Sequence, residues 1–236
     1  MAMAESAEME LGFRPVSEAD VDTRAKFILK TYSHLLGAVA AFTALEVFFF
    51  TSGLAEPIVR GMFKFGWLPV LGGFILVSWI ATSAAHKAVS PVAQYAALSA
   101  YVLVEAIIFL PLLAFAHFKA GGGVISSAAV VTALGFMGLT AVAFTTRKDF
   151  SFLGALLRWV GFAALLAIVA GAIFGFQLGT WFTVGMIVFA GGAILYDTSN
   201  VIHQYPEDRH VAASLQLFAS VMLLFWYVLR LFLRRD

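Results

Sequence analysis

Seven apolar stretches, each long enough to cross a lipid bilayer, alternate with short polar connections along most of this chain. A helix rises about 1.5 Å per residue, so about 20 apolar residues span the hydrocarbon core. Strand-type alternation is absent, and backbone groups in a bilayer must be satisfied internally, which favours helices. Membrane helices are predicted near residues 27–52, 67–87, 93–117, 124–146, 153–176, 180–203 and 211–233. We therefore expect an all-α fold, a polytopic bundle of seven transmembrane helices.

The composition agrees with this pattern and excludes several classes of function. Of the 236 residues, 61% are hydrophobic and 12% are charged, whereas a soluble domain carries about 25% charged residues. A net charge of +1 gives no electrostatic reason to expect nucleic acid as a partner. The chain has no cysteine, so disulfides, thiolate metal sites and cysteine nucleophiles are excluded. The lipid bilayer is the partner that the composition predicts.

Residues 1–26 form the only long polar stretch, and we expect a flexible cytoplasmic tail followed by a transmembrane domain over 27–236. Lys and Arg concentrate on the cytoplasmic side of membrane proteins, so their positions predict the orientation. The basic residues that decide it are Arg14, Arg24 and Lys26 before the first segment, and the pair Arg147 and Lys148. The N-terminus is then cytoplasmic, and after seven crossings the C-terminus lies on the outer side.

An acidic residue, Asp197, lies inside the sixth segment, where a carboxylate costs several kcal/mol unless it is protonated, hydrated or paired. It lies roughly 9 Å from the cytoplasmic end at 1.5 Å per residue. Small Ala190 and Ala193 and polar Asn200 share its helical face, a composition typical of helix–helix contacts in membranes. We expect Asp197 to face the bundle. Ser220, on a polar face of the seventh segment, lies deeper than Asp197 when residues are counted from the helix ends, and interhelical hydrogen bonding alone would explain a serine there.

Three further charged residues lie inside the predicted spans. Glu105 is near the middle of the third segment and Glu46 is toward the outer end of the first. If both face one interior with Asp197, the three carboxylates form a ladder for a cation or a proton. Arg158 either extends its stem to the cytoplasmic interface or pairs with Asp197. His34 lies at a similar depth and is the candidate pH sensor, because histidine titrates near neutral pH.

The sequence contains none of the familiar catalytic motifs. It has no phosphate-binding loop, no H-E-x-x-H helix and no serine in a nucleophile elbow. Asp197 is the only aspartate inside the seven segments, so an intramembrane aspartic protease would lack its second carboxylate. We therefore expect that the protein is not an enzyme and that it has no cofactor and no resident metal. The one metal contact that we expect is a transient contact of calcium with Asp197. A secondary transporter is a weaker alternative, because such proteins typically contain inverted repeats.

Three stretches together resemble the Bax-inhibitor-like family, and the chain is most similar to its bacterial YccA-like branch. Their order and spacing agree over roughly 140–233: the loop Thr145–Gly154, the sixth helix Gly192–His203, and the last helix from Ala213 to Phe225. The resemblance implies a bundle in the inner membrane with six helices around a central seventh. It also implies a modulator of the membrane-bound FtsH protease, with a role in membrane-protein quality control and stress response.

The resemblance also supplies an alternative, a pH-sensitive calcium leak channel gated around Asp197. In calcium-leak members of the family, one aspartate on each of the last two helices shares a proton. Asp197 matches the first, but the second falls on Ser220, a departure shared with the FtsH-modulating branch. The basic residue that latches the pair falls within Ala84-Ala85-His86. A carboxylate beside a hydroxyl lacks like-charge repulsion, so the pH response should weaken or move to Glu105 or His34.

Overall fold

The computed structural model consists of helices in every part of the chain that it describes. The described residues are 15–87, 90–121, 123–146 and 148–234. Their α-helices are α1 (Val21–Thr51), α2 (Ala55–Phe65), α3 (Trp67–Lys87), α4 (Pro91–Phe115), α5 (Gly123–Thr146), α6 (Leu153–Phe174), α7 (Thr180–His203) and α8 (His210–Phe232). A π-helical turn, Ala116–Ala120, extends α4. All of these except α2 are long and apolar enough to cross a membrane, which confirms the predicted seven-span, all-α class.

The start of α1 differs from the sequence prediction. Asp20 caps this helix by accepting hydrogen bonds from the amides of Asp22 and Thr23 at 3.0 Å, so the helix begins at Val21, six residues earlier than expected. Val16 is fully buried, and its amide donates to the carbonyl of Tyr205 at 2.8 Å. Val16, which was assigned to a flexible tail, therefore packs against the bundle, and residues 21–26 form the first turns of α1. The rest of that predicted tail, residues 1–14, lies outside the described residues.

Helix α2 was not expected, because its stretch was taken as a connection between the first two spans. Its 11 residues are too few to cross a bilayer, which needs about 20. Ala55 and Met62 are buried against the bundle, while Arg60 and Glu56 form an ion pair one turn apart on the exposed side. One buried apolar side and one exposed charged side are typical of a helix that lies along the edge of a membrane-spanning bundle.

Helix α8 is the centre of the bundle. Fourteen of its 23 residues are buried, and it packs against α1, α3, α4, α5 and α7. Helix α6 is peripheral: it packs against α7 and α3, and its buried residues are Gly154 and Ala164. The last span is therefore central, as the resemblance implied, with five spans as its main neighbours and the sixth attached from outside.

An aromatic cluster joins α1 and α4 to α8. The Phe109 ring stacks on Phe225 with centroids 5.6 Å apart, and meets the edge of Trp226 at 4.9 Å. Phe42 contacts both Phe109 and Phe218, at 5.2 and 6.3 Å. Because lipid tails are as apolar as these side chains, close packing rather than the hydrophobic effect holds such contacts together. The cluster fixes α8 against its neighbours and thereby positions the polar residues on its other faces.

Gly154→Ala is expected to destabilise the contact between α6 and α7. An ideal Cβ at this position would lie 2.8 Å from Cε2 of Tyr196, closer than side chains pack. Overpacking of this kind costs about 1–3 kcal/mol. The melting temperature of the purified protein in detergent should fall. Gly185→Ala is the matched control, because a Cβ there meets nothing within 4 Å, and equal melting temperatures for the two variants would contradict the prediction.

Candidate functional site

Asp197 and Ser220 form a buried hydrogen-bonded pair between α7 and α8. The Ser220 hydroxyl donates to Oδ2 of Asp197 at 2.5 Å, and the two residues are only 5% and 2% exposed. Counting residues from the helix ends placed Ser220 deeper than Asp197. The packing of α7 against α8 nevertheless brings them together, which confirms that Asp197 faces the bundle. A hydroxyl thus satisfies the carboxyl where the resemblance would place a second aspartate.

The pair lines a cavity of about 780 Å³, which we call the Asp197 cavity. Its walls come from α3, α4, α6, α7 and α8. It extends from Gly154 and Arg158, near the beginning of α6, to Leu178 and Arg234 at the other end of the bundle. Its polar lining includes Asp197, Ser220, Glu105, Arg158, Gln216, Tyr101, Tyr227 and Arg230. The cavity therefore extends along one side of α8 for much of the length of the spans.

Glu105 lies on α4 and lines this same cavity. It is 5% exposed, and its Oε2 has no hydrogen-bond partner among the described residues. Two of the three carboxylates in the predicted ladder, Asp197 and Glu105, thus share one cavity. A carboxyl oxygen without a partner in a membrane interior is costly. Packing alone therefore does not account for a glutamate at position 105.

Glu46 does not join them. It lines a second cavity of about 850 Å³, the Glu46 cavity, whose walls come from α1, the end of α4, α5 and α8. The central helix lies between the two cavities, and Met222 contributes to both linings. The structure therefore separates the predicted ladder into two parts, because Glu46 faces the side of α8 away from Asp197.

Arg158 lines the Asp197 cavity, but it is not paired with the carboxylate. Its Nε donates to the carbonyl of Gly154 at 3.1 Å. Among the ion pairs of the described residues, none joins Arg158 to Asp197 within 4.0 Å. The predicted neutralising pair is therefore not formed in this structure, although both groups border the same space.

His34 lies apart from Asp197, on the side of the bundle where α1 begins. Its Nε2 is 2.9 Å from the hydroxyl of Tyr95, and its Nδ1 is 2.7 Å from the carbonyl of Lys30. Its ring is 5.0 Å from that of His210. His34 belongs to the lining of neither cavity. Any pH response of His34 would act on the contact between α1, α4 and α8, not directly on Asp197.

The latch position implied by the resemblance also lacks a basic group at Asp197. Ala84 and Ala85 carry no charge, and His86 makes its contacts elsewhere. Its Nε2 is 3.1 Å from the hydroxyl of Tyr205, and its Nδ1 is 2.8 Å from the carbonyl of Thr82. Position 220 is a serine, and Ala84, Ala85 and His86 give Asp197 no basic partner. The surroundings of Asp197 therefore differ from those that the resemblance implies for the two-aspartate members.

One feature that the sequence reasoning missed is the docking of the α5–α6 loop on α7. The Ser199 hydroxyl accepts a hydrogen bond from the Phe150 amide at 2.9 Å. Asp149 accepts one from the Ser151 amide at 2.8 Å, and this bond lowers the pKa of the Asp149 carboxyl. An aspartate that binds the amide two residues later is a recognisable turn signal, which the Asp149-Phe150-Ser151 sequence contains. The hydrogen bond between Phe150 and Ser199 thus joins the Thr145–Gly154 and Gly192–His203 stretches in space.

Arg234 makes a second contact that the sequence did not indicate. Its Nη2 donates to the carbonyl of Leu178 at 2.6 Å, and its Nη1 donates to the hydroxyl of Thr180 at 3.3 Å. These bonds tie the end of α8 to the α6–α7 connection. Leu178 and Arg234 both line the Asp197 cavity, at the end opposite Arg158.

Comparison with known proteins places this architecture in a family. A family model described as "inhibitor of apoptosis-promoting Bax1" matches residues 24–236, nearly the whole chain. The chain belongs to the Bax inhibitor family. This match and the seven apolar spans identify a multi-pass membrane protein of that family, in agreement with the sequence resemblance.

Several Bax inhibitor relatives match over different lengths. An uncharacterized protein of Pseudomonas aeruginosa is 40% identical over 116 residues, which are 48% of this chain and 50% of that protein. The modulator of FtsH protease YccA from Escherichia coli is 36% identical over 118 residues, 49% of this chain and 53% of YccA. A Golgi anti-apoptotic protein of vaccinia virus is 27% identical over 92% of this chain and 88% of its own length. The chain thus spans about half the length of these two bacterial relatives.

Proposed function

We propose that this Bax inhibitor family protein is a modulator of a membrane-bound protease of the FtsH type and acts in membrane-protein quality control. The observation that carries the proposal is the likeness to YccA of Escherichia coli, which is named as a modulator of that protease. The YccA protein of a second Escherichia coli strain is named as an inner membrane protein. We accordingly propose the inner membrane as the location, with the N-terminus cytoplasmic and the C-terminus periplasmic.

The site geometry is compatible with this function. Asp197 has a hydroxyl donor, Ser220, in place of a second carboxylate, and the resemblance assigns that departure to the FtsH-modulating branch. Pro15 is the first described residue, and it forms an isolated antiparallel β-bridge with Pro206 in the α7–α8 connection. The Ser17 hydroxyl also donates to the carbonyl of His203 at 2.8 Å. A partner bound near the beginning of the chain would therefore lie beside the end of the helix that carries Asp197.

The test is the rate at which a purified FtsH-type protease degrades a membrane-protein substrate in proteoliposomes. Adding this protein should change that rate in a concentration-dependent way, and the protein should co-purify with the protease. A variant lacking residues 2–14 should lose both effects while it keeps the contacts of Val16 and Ser17 that hold the bundle. An unchanged rate, with folded protein at saturating concentration and no co-purification, would refute the proposal.

A second candidate function is a passive pathway for calcium or protons. The observation that favours it is the shared cavity of Asp197 and Glu105, two buried carboxylates along one channel-like space. Carboxylate oxygens are ligands that calcium prefers. The two functions do not exclude each other.

A further inference from the structure

The Glu46 cavity has the dimensions and lining of a ligand site. Its volume of about 850 Å³ lies in the range of small-molecule pockets, which are apolar spaces with few polar groups. Most of its walls are aliphatic or aromatic side chains from four spans. Among them are Leu35, Val39, Phe42, Phe136, Met222 and Phe225. An apolar molecule of moderate size would pack against these side chains.

Glu46 is a polar group in this cavity that lacks a partner. The residue is 7% exposed, and both of its carboxyl oxygens are buried without a hydrogen-bond partner among the described residues. The hydroxyl of Thr132, which lines the same cavity, is likewise without a partner in the described chain. Buried polar groups are nearly always hydrogen-bonded, and the cost of an unsatisfied one inside a bilayer is several kcal/mol. A bound ligand that carries a hydrogen-bond donor would satisfy the Glu46 carboxyl.

The route to the cavity is from the lipid. Three of its lining residues, Leu36, Val47 and Phe118, are also 71%, 57% and 80% exposed on the outer surface of the bundle. They belong to the apolar spans Val21–Thr51 and Pro91–Ala120, whose outer surface faces the hydrocarbon of the bilayer. A ligand dissolved in the membrane can therefore reach Glu46 without crossing water.

The charges in the lining select the kind of ligand. Glu46 is the one acidic residue among the lining residues, and none of the described residues that line the cavity is a lysine or an arginine. His117 is the one basic side chain among the lining residues, and its ring packs against Phe50 and Phe118, with centroids 6.1 and 5.2 Å away. A buried carboxyl is stable in its ionised form only when an opposite charge compensates it, so a positively charged donor is the ligand that would stabilise the Glu46 carboxylate. An anionic head group would be repelled.

We propose that the Glu46 cavity is a binding site for a lipophilic cation, an ammonium group on an apolar body, that enters from the bilayer. The ammonium donates hydrogen bonds to the Glu46 carboxylate. Such charge-assisted hydrogen bonds are roughly twice as strong as hydrogen bonds between neutral groups. The apolar body packs against aromatic side chains such as Phe42 and Phe136, whose ring faces also attract cations. This site is separate from the Asp197 cavity and does not depend on the protease partner.

The experiment measures binding of radiolabelled dodecylammonium to the full chain in nanodiscs of phosphatidylcholine, after subtraction of partitioning into nanodiscs without protein. We expect saturable binding of one molecule per chain. Glu46→Gln should weaken it by at least about tenfold, since hydrogen bonds to charged groups are the strong ones. Glu105→Gln is the matched control, because it neutralises the buried carboxyl of the other cavity, and it should bind as the wild type does. Dodecanol, which has the same chain without the charge, should not distinguish wild type from Glu46→Gln.

A steric variant keeps the test independent of the charge. Ala129 lines the Glu46 cavity and is exposed on α5, so Ala129→Phe is accommodated at the lipid-facing surface while it narrows the entrance. This variant should retain the wild-type melting temperature and lose dodecylammonium binding. Absence of saturable binding by folded wild-type protein would overturn the proposal. An equal loss of dodecylammonium binding in Glu46→Gln and Glu105→Gln would also overturn the proposal. Binding would then depend on any buried carboxyl and not on Glu46 in particular.

Discussion

Ser220→Ala is expected to lower the free energy of unfolding by about 2 kcal/mol, because it removes the donor that satisfies the buried Asp197 carboxyl. The bond is short, at 2.5 Å, and both residues are almost completely buried. The alanine leaves the Asp197 oxygen facing apolar neighbours. The change should appear as a lower melting temperature and as faster unfolding in a denaturing detergent. Ser126→Ala is the control, since Ser126 is exposed and bonds only within its own helix.

A double-mutant cycle separates the hydrogen bond from other effects of the substitution. Asp197→Ala alone removes the acceptor, and the double variant removes both groups. The coupling energy between contacting residues in one hydrogen-bonded pair is about 0.5–3 kcal/mol, so the double variant should be more stable than the sum of the single changes predicts. Additive effects, or a Ser220→Ala variant as stable as Ser126→Ala, would show that the pair does not hold α7 to α8.

Asp197→Asn is expected to reduce calcium flux into liposomes by at least about tenfold if the chain conducts cations, since a unit charge about 4 Å from a cation contributes several kcal/mol even at an effective dielectric constant of 20. The substitution keeps the shape of the side chain and removes its charge. Flux is measured with purified protein at about pH 6 and about pH 8, either side of the ordinary titration of histidine. Ser220→Asp introduces a second carboxylate beside the first, and it should enlarge the difference between the fluxes at these two pH values.

The two cavities provide the controls for that measurement. Glu105→Gln removes the other carboxylate of the Asp197 cavity and should also reduce the flux. Glu46→Gln removes a carboxylate of equal burial from the separate cavity and should leave the flux unchanged. Flux no higher than that of empty liposomes, from folded protein at both pH values, would eliminate the cation pathway. The protease assay would be unaffected by that outcome.

The sequence by itself determined the class of the molecule and the number and approximate ends of its membrane helices. Length and apolar character suffice for this, because a bilayer imposes about 20 apolar residues on every crossing. The burial of Asp197 also followed from sequence, since a charge inside a span is excluded from lipid and its helical face carries Ala190 and Asn200. The family followed from the order of three stretches, which the match over residues 24–236 confirms.

Local signals that were present in the sequence were in part overlooked. Asp20 is a typical helix cap, yet the first helix was placed six residues too late, and Val16 was assigned to a flexible tail although it is buried. Helix α2 was missed because a search for membrane-length segments passes over an 11-residue helix. These errors arose at the ends of the spans, where capping and turn residues rather than apolar length decide the structure.

Only the tertiary structure decided which polar residues meet. The spans are apolar on nearly every face, so their periodicity does not indicate which side packs against which neighbour. That rotation is set by shape, through contacts such as Phe109 on Phe225 and Tyr196 against Gly154. It joins Asp197 to Ser220, places Glu105 in their cavity, and turns Glu46 toward another one. The sequence determined that these charges are buried, and the packing of the helices determined which of them share a site.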